Sequence, residues 1–147
     1  MMSNLYVVDA NVFAKLFIEE VDSDQARKFL KHCVQQEISL LAPSLFTYEI
    51  LQIAIYYNYP IQKALAVVDD YRAFNLTTTE LNADQWMLAE SMTQSGHRRS
   101  GFPSLYDSCY HAMAVKNDCL FLTADKRHAA KTESFGHLQL LKDWKPE

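Results

Sequence analysis

Residues 5–11 read Leu-Tyr-Val-Val-Asp-Ala-Asn, a short apolar run that ends abruptly in an acidic residue. The run has no alternation of apolar and polar residues, which is typical of a parallel-sheet strand covered on both faces. A similar pattern returns near the other end of the chain, where residues 119–125 read Cys-Leu-Phe-Leu-Thr-Ala-Asp. The two stretches predict two buried strands, each followed closely by a carboxylate, Asp9 and Asp125.

Outward from these strands, β-type and helical segments alternate along the chain. Further strands are predicted at 38–41, 76–79 and 138–141, and helices at 12–17, 22–34, 43–58, 61–74, 82–92, 104–116 and from 126. Pro43 suits the first turn of the third helix. Residues 93–102 show no periodicity, so we interpret them as a loop. We expect one α/β domain over residues 1–147, a sandwich with a central parallel sheet of four to five short strands between helices.

The composition excludes several classes of protein. A net charge of -4 and a pI near 5.7 exclude a generally basic nucleic-acid binder, so a polyanion would need a local basic patch or metal ions. No stretch approaches the ~18 apolar residues of a membrane helix, and we expect neither export nor membrane insertion. Three cysteines without a Cys-x-x-Cys pair argue against a disulfide framework or a zinc ribbon and favour the reducing cytoplasm.

Four carboxylates are candidates for one site. In a sheet of this kind, ligands bind beyond the carboxyl ends of the strands, where Asp9 and Asp125 are expected. Glu49 and Asp107 occur in helices that are otherwise largely apolar, and a buried carboxylate is costly unless it is paired or binds a cation. Simpler interpretations stay open: helix caps for Asp9 and Asp125, an exposed face for Glu49, and compensation of the helix dipole for Asp107.

The order of four motifs adds a resemblance. They are the opening strand with Asp9-Ala10-Asn11, Glu49 in an early helix, Tyr106-Asp107-Ser108-Cys109-Tyr110-His111-Ala112-Met113-Ala114, and Leu122-Thr123-Ala124-Asp125. Over nearly the whole chain, this order resembles the PIN-domain family and, within it, the VapC-type toxins. The resemblance implies a PIN-like fold and a metal-dependent ribonuclease. Its catalytic and metal-binding acids would be Asp9, Glu49, Asp107 and Asp125, with Asn11 and Thr123 as polar supports.

Phosphodiester hydrolysis explains why such a cluster is useful. The reaction needs an activated water and a shield for the charge that develops on the phosphate oxygens, and Mg²⁺ or Mn²⁺ supplies both. These ions prefer oxygen ligands, so carboxylates suffice without Cys or His. We expect Asp9 and Asp107 to be the main ligands and Glu49 and Asp125 to bind a second ion or to act through water. Asn11 is expected to orient Asp9 or the attacking water.

Two small basic clusters flank the acids and are candidates for RNA binding. Arg98 and Arg99 lie in the loop before Asp107, and Lys126 and Arg127 follow Asp125, with Lys131 nearby. The alternative is that these are solvated surface charges. Lys15 is expected either to reach the site or to lie exposed on its helix.

Four tyrosines, Tyr48, Tyr56, Tyr57 and Tyr59, concentrate around one helix and its end. We expect most of them in the core. The alternative is a surface for self-association or for an antitoxin, because tyrosine is favoured at protein interfaces.

The leading hypothesis is a cytoplasmic Mg²⁺- or Mn²⁺-dependent endoribonuclease, the homodimeric toxin of a toxin–antitoxin pair, with RNA as substrate and a small antitoxin as partner. Three alternatives remain. A housekeeping RNA-processing nuclease could use the same acids. A phosphoryl-transfer enzyme would share an Asp after the first strand, but no Ser/Thr-then-Lys phosphate site is present. A binding module without activity would not require all four acids.

Overall fold

Five parallel strands form one sheet in the order β3-β2-β1-β4-β5. The structure is a computed structural model that describes residues 4–96, 99 and 101–146. The strands of the described residues are β1 (Leu5–Val8), β2 (Ser39–Pro43), β3 (Leu76–Thr79), β4 (Leu120–Thr123) and β5 (Leu138–Leu140). The predicted α/β fold with a central parallel sheet is therefore confirmed, with five strands.

Seven α-helices connect the strands within the described residues. They are α1 (Ala10–Phe13), α2 (Ser23–Gln35), α3 (Leu45–Tyr56), α4 (Ile61–Arg72), α5 (Ala83–Gln94), α6 (Leu105–Lys116) and α7 (Lys126–Lys131). Helices α5 and α6 begin with clear capping signals. Asn82 and Gln85 form a reciprocal capping box at α5, and Ser104 accepts the Asp107 N–H at α6. No helix among the described residues has both the length and the apolar character needed to cross a membrane.

The strand order creates a crevice between β1 and β4. The chain runs from β1 to β2 to β3 in one direction and then returns to place β4 on the other side of β1. Val8 of β1 is in register with Leu122 of β4, and the Asp9 N–H donates to the Leu122 carbonyl at 3.0 Å. Ligands bind at such switch points in open α/β sheets, so the fold places residues 9–11 and 123–125 where a site is expected.

Helix α6 is the central helix of the core. All seven residues from 108 to 114 are buried, because the helix packs against α5 on one side and against β1, β2 and β4 on another. The strands below it, β1 and β4, contain the fully buried Val7, Val8, Phe121 and Leu122. Truncating one such side chain to alanine costs about 2–5 kcal/mol. This packing fixes the start of α6, where Asp107 lies.

Three predicted boundaries differ from the structure. Pro43 is the last residue of β2 and not the first turn of a helix. The β1–β2 pairing ends at Leu41, so the missing N–H of Pro43 removes no hydrogen bond between these strands. Proline is commonly found at strand ends for this reason. Helix α5 extends to Gln94, so the loop begins later than predicted. The first helix ends at Phe13 and continues as a 3₁₀ turn, Ala14–Leu16.

Candidate active site

Asp9 lies directly after β1 and is only 5% exposed. Its Oδ1 accepts the backbone N–H of Asn11 at 3.3 Å, which makes Asp9 the N-cap of α1. Its Oδ2 accepts the Thr123 hydroxyl at 2.7 Å, across the crevice from the end of β4. The capping interpretation is therefore correct for Asp9, and the same carboxylate is also held at the β1–β4 switch point.

The Asp9 carboxyl has an unusual proton affinity. Its pKa is raised from 3.8 to about 7, first by burial and then by the negative charges of the neighbouring Asp107 and Glu49. The hydrogen bonds from Thr123 and Asn11 act in the opposite direction. A carboxyl group with a pKa near neutrality is a frequent feature of functional sites.

Glu49 of α3 extends from a half-buried position toward the same crevice. The buried Tyr110 hydroxyl donates to its Oε1 at 2.5 Å. The pKa of Glu49 is raised, first by burial and then by Asp107, whereas the Tyr110 hydrogen bond lowers it. Tyr110 was not among the predicted site residues. Its position three residues after Asp107 could have indicated it, because that spacing puts both side chains on one face of the helix.

Asp107 occupies the first turn of α6. Its backbone N–H donates to Ser104 Oγ at 3.1 Å, so Ser104 caps the helix and the Asp107 residue is held in its first turn. Burial raises the pKa of Asp107, and the adjacent carboxyl of Asp125 is the next cause, whereas Lys131 lowers it. The carboxyl groups of Asp107, at the start of α6, and Asp125, in the segment that follows β4, therefore lie close to each other.

Asp125 is the N-cap of α7. Its Oδ1 accepts the N–H groups of Arg127 and His128, each at 3.0 Å. Its own N–H donates to Thr123 Oγ1 at 3.0 Å. The Thr123 hydroxyl therefore donates a hydrogen bond to Asp9 and accepts one from the Asp125 backbone. These two bonds hold the ends of β1 and β4 together.

The four acids form a chain of neighbours. Asp9 interacts electrostatically with Glu49 and Asp107, and Asp107 interacts with Asp125. Among the described residues, no three His, Cys, Asp or Glu side chains stand close enough to share one metal ion. The donor set nevertheless suits Mg²⁺ or Mn²⁺, since Mg²⁺ usually binds one or two carboxylates and keeps several waters. A cation between two of these acids would also relieve their repulsion.

Asn11 supports the crevice from the α1 side. Its Oδ1 accepts the Ala124 N–H at 3.3 Å, so its side chain ties α1 to the residue before Asp125. Its backbone N–H, and not its amide group, donates to Asp9, and the expected role of Asn11 in orienting Asp9 or the attacking water stays a prediction.

Two buried histidines connect the helices that carry Asp107 and Asp125. His111 Nδ1 lies 3.0 Å from His128 Nε2, and His111 Nε2 lies 2.6 Å from the Gly136 carbonyl. The carbonyl only accepts, so His111 donates through Nε2 and accepts from His128 through Nδ1. Burial lowers the pKa of both rings, that of His128 to about 4. Both rings are therefore neutral near pH 7.

The candidate RNA-binding residues have different outcomes. Arg98 lies outside the described residues, and Arg99 is exposed in the loop before α6. Lys126 and Arg127 are exposed in the first turn of α7, directly after Asp125.

Both expectations for Lys15 are wrong. Its side chain is buried and its Nζ lies 3.1 Å from Glu20 and from Asp22.

The four tyrosines are mostly not in the core, contrary to expectation. Tyr48 and Tyr56 are each 77% exposed and Tyr57 is 45% exposed. Tyr59 alone packs inward and stacks on Phe17 with ring centroids 4.6 Å apart. With Ile55 and Ile61, also exposed, the three outer tyrosines form an apolar surface that we name the α3–α4 face.

The fold is similar to three solved structures. VapBC2 from Rickettsia felis, bound to a DNA fragment from its promoter, matches with a TM-score of 0.69 and 13% identity over 96% of this chain and 99% of that chain. The sarcin–ricin loop cleaving toxin VapC20 from Mycobacterium tuberculosis matches with 0.64 and 14% identity over 86% and 93%. A toxin–antitoxin complex from Klebsiella pneumoniae matches with 0.61 and 15% identity over 95% and 98%. No curated protein matches the sequence.

The sequence itself identifies the family. The PIN domain model matches residues 6–133, which include β1, the crevice between β1 and β4, and all four acids. The resemblance drawn from the motifs is therefore confirmed. This chain belongs to the PIN domain family.

Proposed function

We propose that this protein is a metal-dependent endoribonuclease that hydrolyses RNA phosphodiester bonds with Asp9, Glu49, Asp107 and Asp125. The observation that carries the proposal is Asp9, a buried carboxyl with a pKa of about 7 and with two further acids as electrostatic neighbours. Burying such a group without a cation destabilises its charged form, and a site that binds a divalent cation removes the penalty. Membership of the PIN family supports the same activity.

The residues of the crevice have distinct roles in this proposal. A bound Mg²⁺ or Mn²⁺ ion would supply an activated water and charge neutralisation at the scissile phosphate. Asp9 and Asp107 would hold it, Glu49 and Asp125 would bind a second ion or act through water, and Thr123 keeps Asp9 Oδ2 fixed at 2.7 Å. The Tyr110 hydroxyl fixes Glu49 in the same way. Fixed ligands of this kind avoid reorganisation during the reaction.

A cleavage assay with labelled RNAs tests the activity. Single-stranded and hairpin RNAs are incubated with Mg²⁺, Mn²⁺ or EDTA, and a sarcin–ricin loop RNA is included because a structural neighbour cleaves it. Asp107→Asn should abolish cleavage and leave the circular dichroism spectrum unchanged, whereas Asp70→Asn, at an exposed carboxylate of α4, should retain it. Losing a metal ligand or its support typically costs at least ~10-fold. Retention of more than about a tenth of the activity in Asp107→Asn, or cleavage that persists in EDTA, contradicts the proposal.

We further propose that the enzyme is the toxin of a toxin–antitoxin pair, acting in the cytoplasm as a homodimer. Two of the structural neighbours are toxin–antitoxin complexes, and the α3–α4 face is an exposed apolar surface of the kind that binds other proteins. The three buried free cysteines favour a reducing compartment.

The partner proposal is tested separately from catalysis. Light scattering coupled to size exclusion should give the mass of a dimer. A small protein should be encoded next to this gene, bind the enzyme and stop RNA cleavage. A monomer, or a neighbouring product that leaves cleavage unchanged, favours the housekeeping nuclease.

A further inference from the structure

A second exposed apolar surface lies beside the acids, at the junction of α5 and α6. We name it the aromatic patch. It consists of Trp86, Met87, Phe102, Leu105 and Tyr106, which are 42%, 68%, 54%, 46% and 63% exposed. A cleft of about 560 Å³ lies within it, lined by Trp86, Met87, Glu90, Thr93, Pro103 and Leu105. Large apolar side chains exposed together in this way mark a binding surface.

The aromatic patch is continuous with the candidate active site. Tyr106 directly precedes Asp107 in the first turn of α6. Lys131 of α7 connects the two regions, because its Nζ lies 3.5 Å from the Phe102 carbonyl and also interacts electrostatically with Asp107. A cation therefore lies between the backbone of Phe102 and a carboxylate of the cluster.

The backbone before the patch is closely packed, which fixes Phe102 in place. A Cβ at Gly96 would overlap the Phe102 backbone and ring and the Gly101 carbonyl. Gly101 has a φ of +83°, a conformation that favours glycine, and a Cβ there would stand 3.6 Å from Lys131 Nζ. The two glycines thus let the ends of the 96–101 loop approach each other, so Phe102 is held where α6 begins.

We propose that Tyr106 and Phe102 stack on bases of single-stranded RNA next to the scissile phosphate, and that Lys131 binds a neighbouring phosphate of the same strand. This subsite rests on the proposed ribonuclease function and names the form of RNA that the site takes. Every base has a π-face, so aromatic stacking binds single strands with little dependence on sequence. Bases inside a duplex are not available for it.

The charge of the protein favours this mode of binding. With a net charge of -4, the chain cannot hold RNA through a general basic surface. Stacking supplies affinity without charge, and Lys131 provides a local cation where the strand would reach the acids. A protein partner would not require a lysine placed between the patch and the acids, and the separate α3–α4 face already offers a surface for one.

The test measures binding apart from cleavage. Single-stranded RNA that carries 2-aminopurine is titrated in EDTA, where stacking quenches its fluorescence, and kcat and KM are then measured with Mg²⁺ or Mn²⁺. Tyr106→Ala and Phe102→Ala should each weaken binding by about 5- to 150-fold and raise KM, because one stacked base contributes ~1–3 kcal/mol. Tyr106→Phe should retain both. Phe74→Ala is the matched control, since Phe74 is 57% exposed and follows the end of α4, outside the residues of the aromatic patch.

The outcomes distinguish this proposal from the proposed function. Quenching lost in Tyr106→Ala and retained in Tyr106→Phe supports the subsite even if no RNA is cleaved. Unchanged Kd and KM in Tyr106→Ala and Phe102→Ala overturn it, even if Asp107→Asn proves that the enzyme is a ribonuclease. Loss of a protein partner in these variants, with RNA binding unchanged, also overturns it and assigns the patch to that partner.

Discussion

Replacing Asp9 by asparagine should stabilise the metal-free protein while removing its activity. Asp9 is nearly fully buried at the β1–β4 crevice, and its negative charge has acidic neighbours in Glu49 and Asp107. Asparagine has almost the same size and carries no charge. One of its two polar atoms can still accept a hydrogen bond, so one of the bonds from Thr123 and Asn11 is kept.

The size of the effect follows from the pKa of Asp9, which is about 7 in the folded protein against an ordinary value of 3.8. Between these values the folded protein retains a proton that the unfolded chain has released. The free energy of unfolding therefore falls as the pH rises from about 4 to about 7. One pKa unit corresponds to ~1.4 kcal/mol, so the wild type loses roughly 4 kcal/mol across this range.

The free energy of unfolding of Asp9→Asn does not fall in this way with pH. The variant gives up one hydrogen bond, which is worth about 1 kcal/mol. The variant should consequently be more stable than the wild type by roughly 3 kcal/mol at pH 8 in EDTA. For a chain of this size, that corresponds to a rise in Tm of about 6–12 °C. At pH 4 the folded chain keeps Asp9 protonated and the unfolded chain is about half protonated, so little of the pH-dependent loss has occurred and the advantage should vanish.

Urea denaturation of the wild type, Asp9→Asn and Asp70→Asn at several pH values between 4 and 8 measures the effect. Asp70 is exposed on α4, so its replacement controls for the loss of one carboxylate. Glu49 and Asp107 titrate in all three proteins, and Asp9→Asn also removes the repulsion between Asp9 and these two acids, which acts in the same direction. A difference between wild type and Asp9→Asn that does not grow with pH would refute the assignment of Asp9 as a buried, destabilising charge.

Three other predictions concern the metal, Tyr110 and the loop. Mg²⁺ or Mn²⁺ at millimolar concentration should raise the Tm and EDTA should reverse the rise, because the ion binds only the folded chain; a melting curve that neither ion shifts means that the acids do not form one site. Tyr110→Phe removes a hydrogen bond that lowers the pKa of Glu49, so the acidic limb of the rate–pH profile should move to higher pH; an unmoved limb separates Glu49 from catalysis. Replacing Arg98 and Arg99 together by alanine should weaken RNA binding and flatten its salt dependence, by a slope of about 0.7 per lost phosphate contact, with little change in kcat. An unchanged slope reduces the pair to solvated charges and directs attention to the basic residues of α7.

The carboxylates at the strand ends could be predicted because the signal is local. Buried parallel strands lack alternation, and an acid directly after such a strand can only lie at the carboxyl edge of the sheet. Asp9 and Asp125 were placed in this way. Their additional roles as helix caps were equally visible, since Asp is a favoured N-cap residue. The roles of the four acids in metal binding stay a prediction.

Other features depend on contacts between distant segments. Helix α3 is apolar on all sides, so its pattern does not show which face is buried, and Tyr48 and Tyr56 were wrongly expected in the core. Tyr110 and Glu49 are 61 residues apart, and only the tertiary fold brings Tyr110 of α6 to Glu49 of α3. Lys15 forms salt bridges with Glu20 and Asp22, which lie in the turn before α2, and helical spacing does not predict this pairing.

Gly136 can influence the acids without touching them. It lies on the surface with a φ of +63°, and a Cβ there would meet no atom within 4 Å, so alanine at this position disturbs only the backbone conformation. The carbonyl of Gly136 is the end of the hydrogen-bonded line through His111 and His128, which spans from the α6 helix of Asp107 to the α7 helix of Asp125. The positions of α6 and α7 relative to each other are thus linked to a surface turn through two imidazole rings.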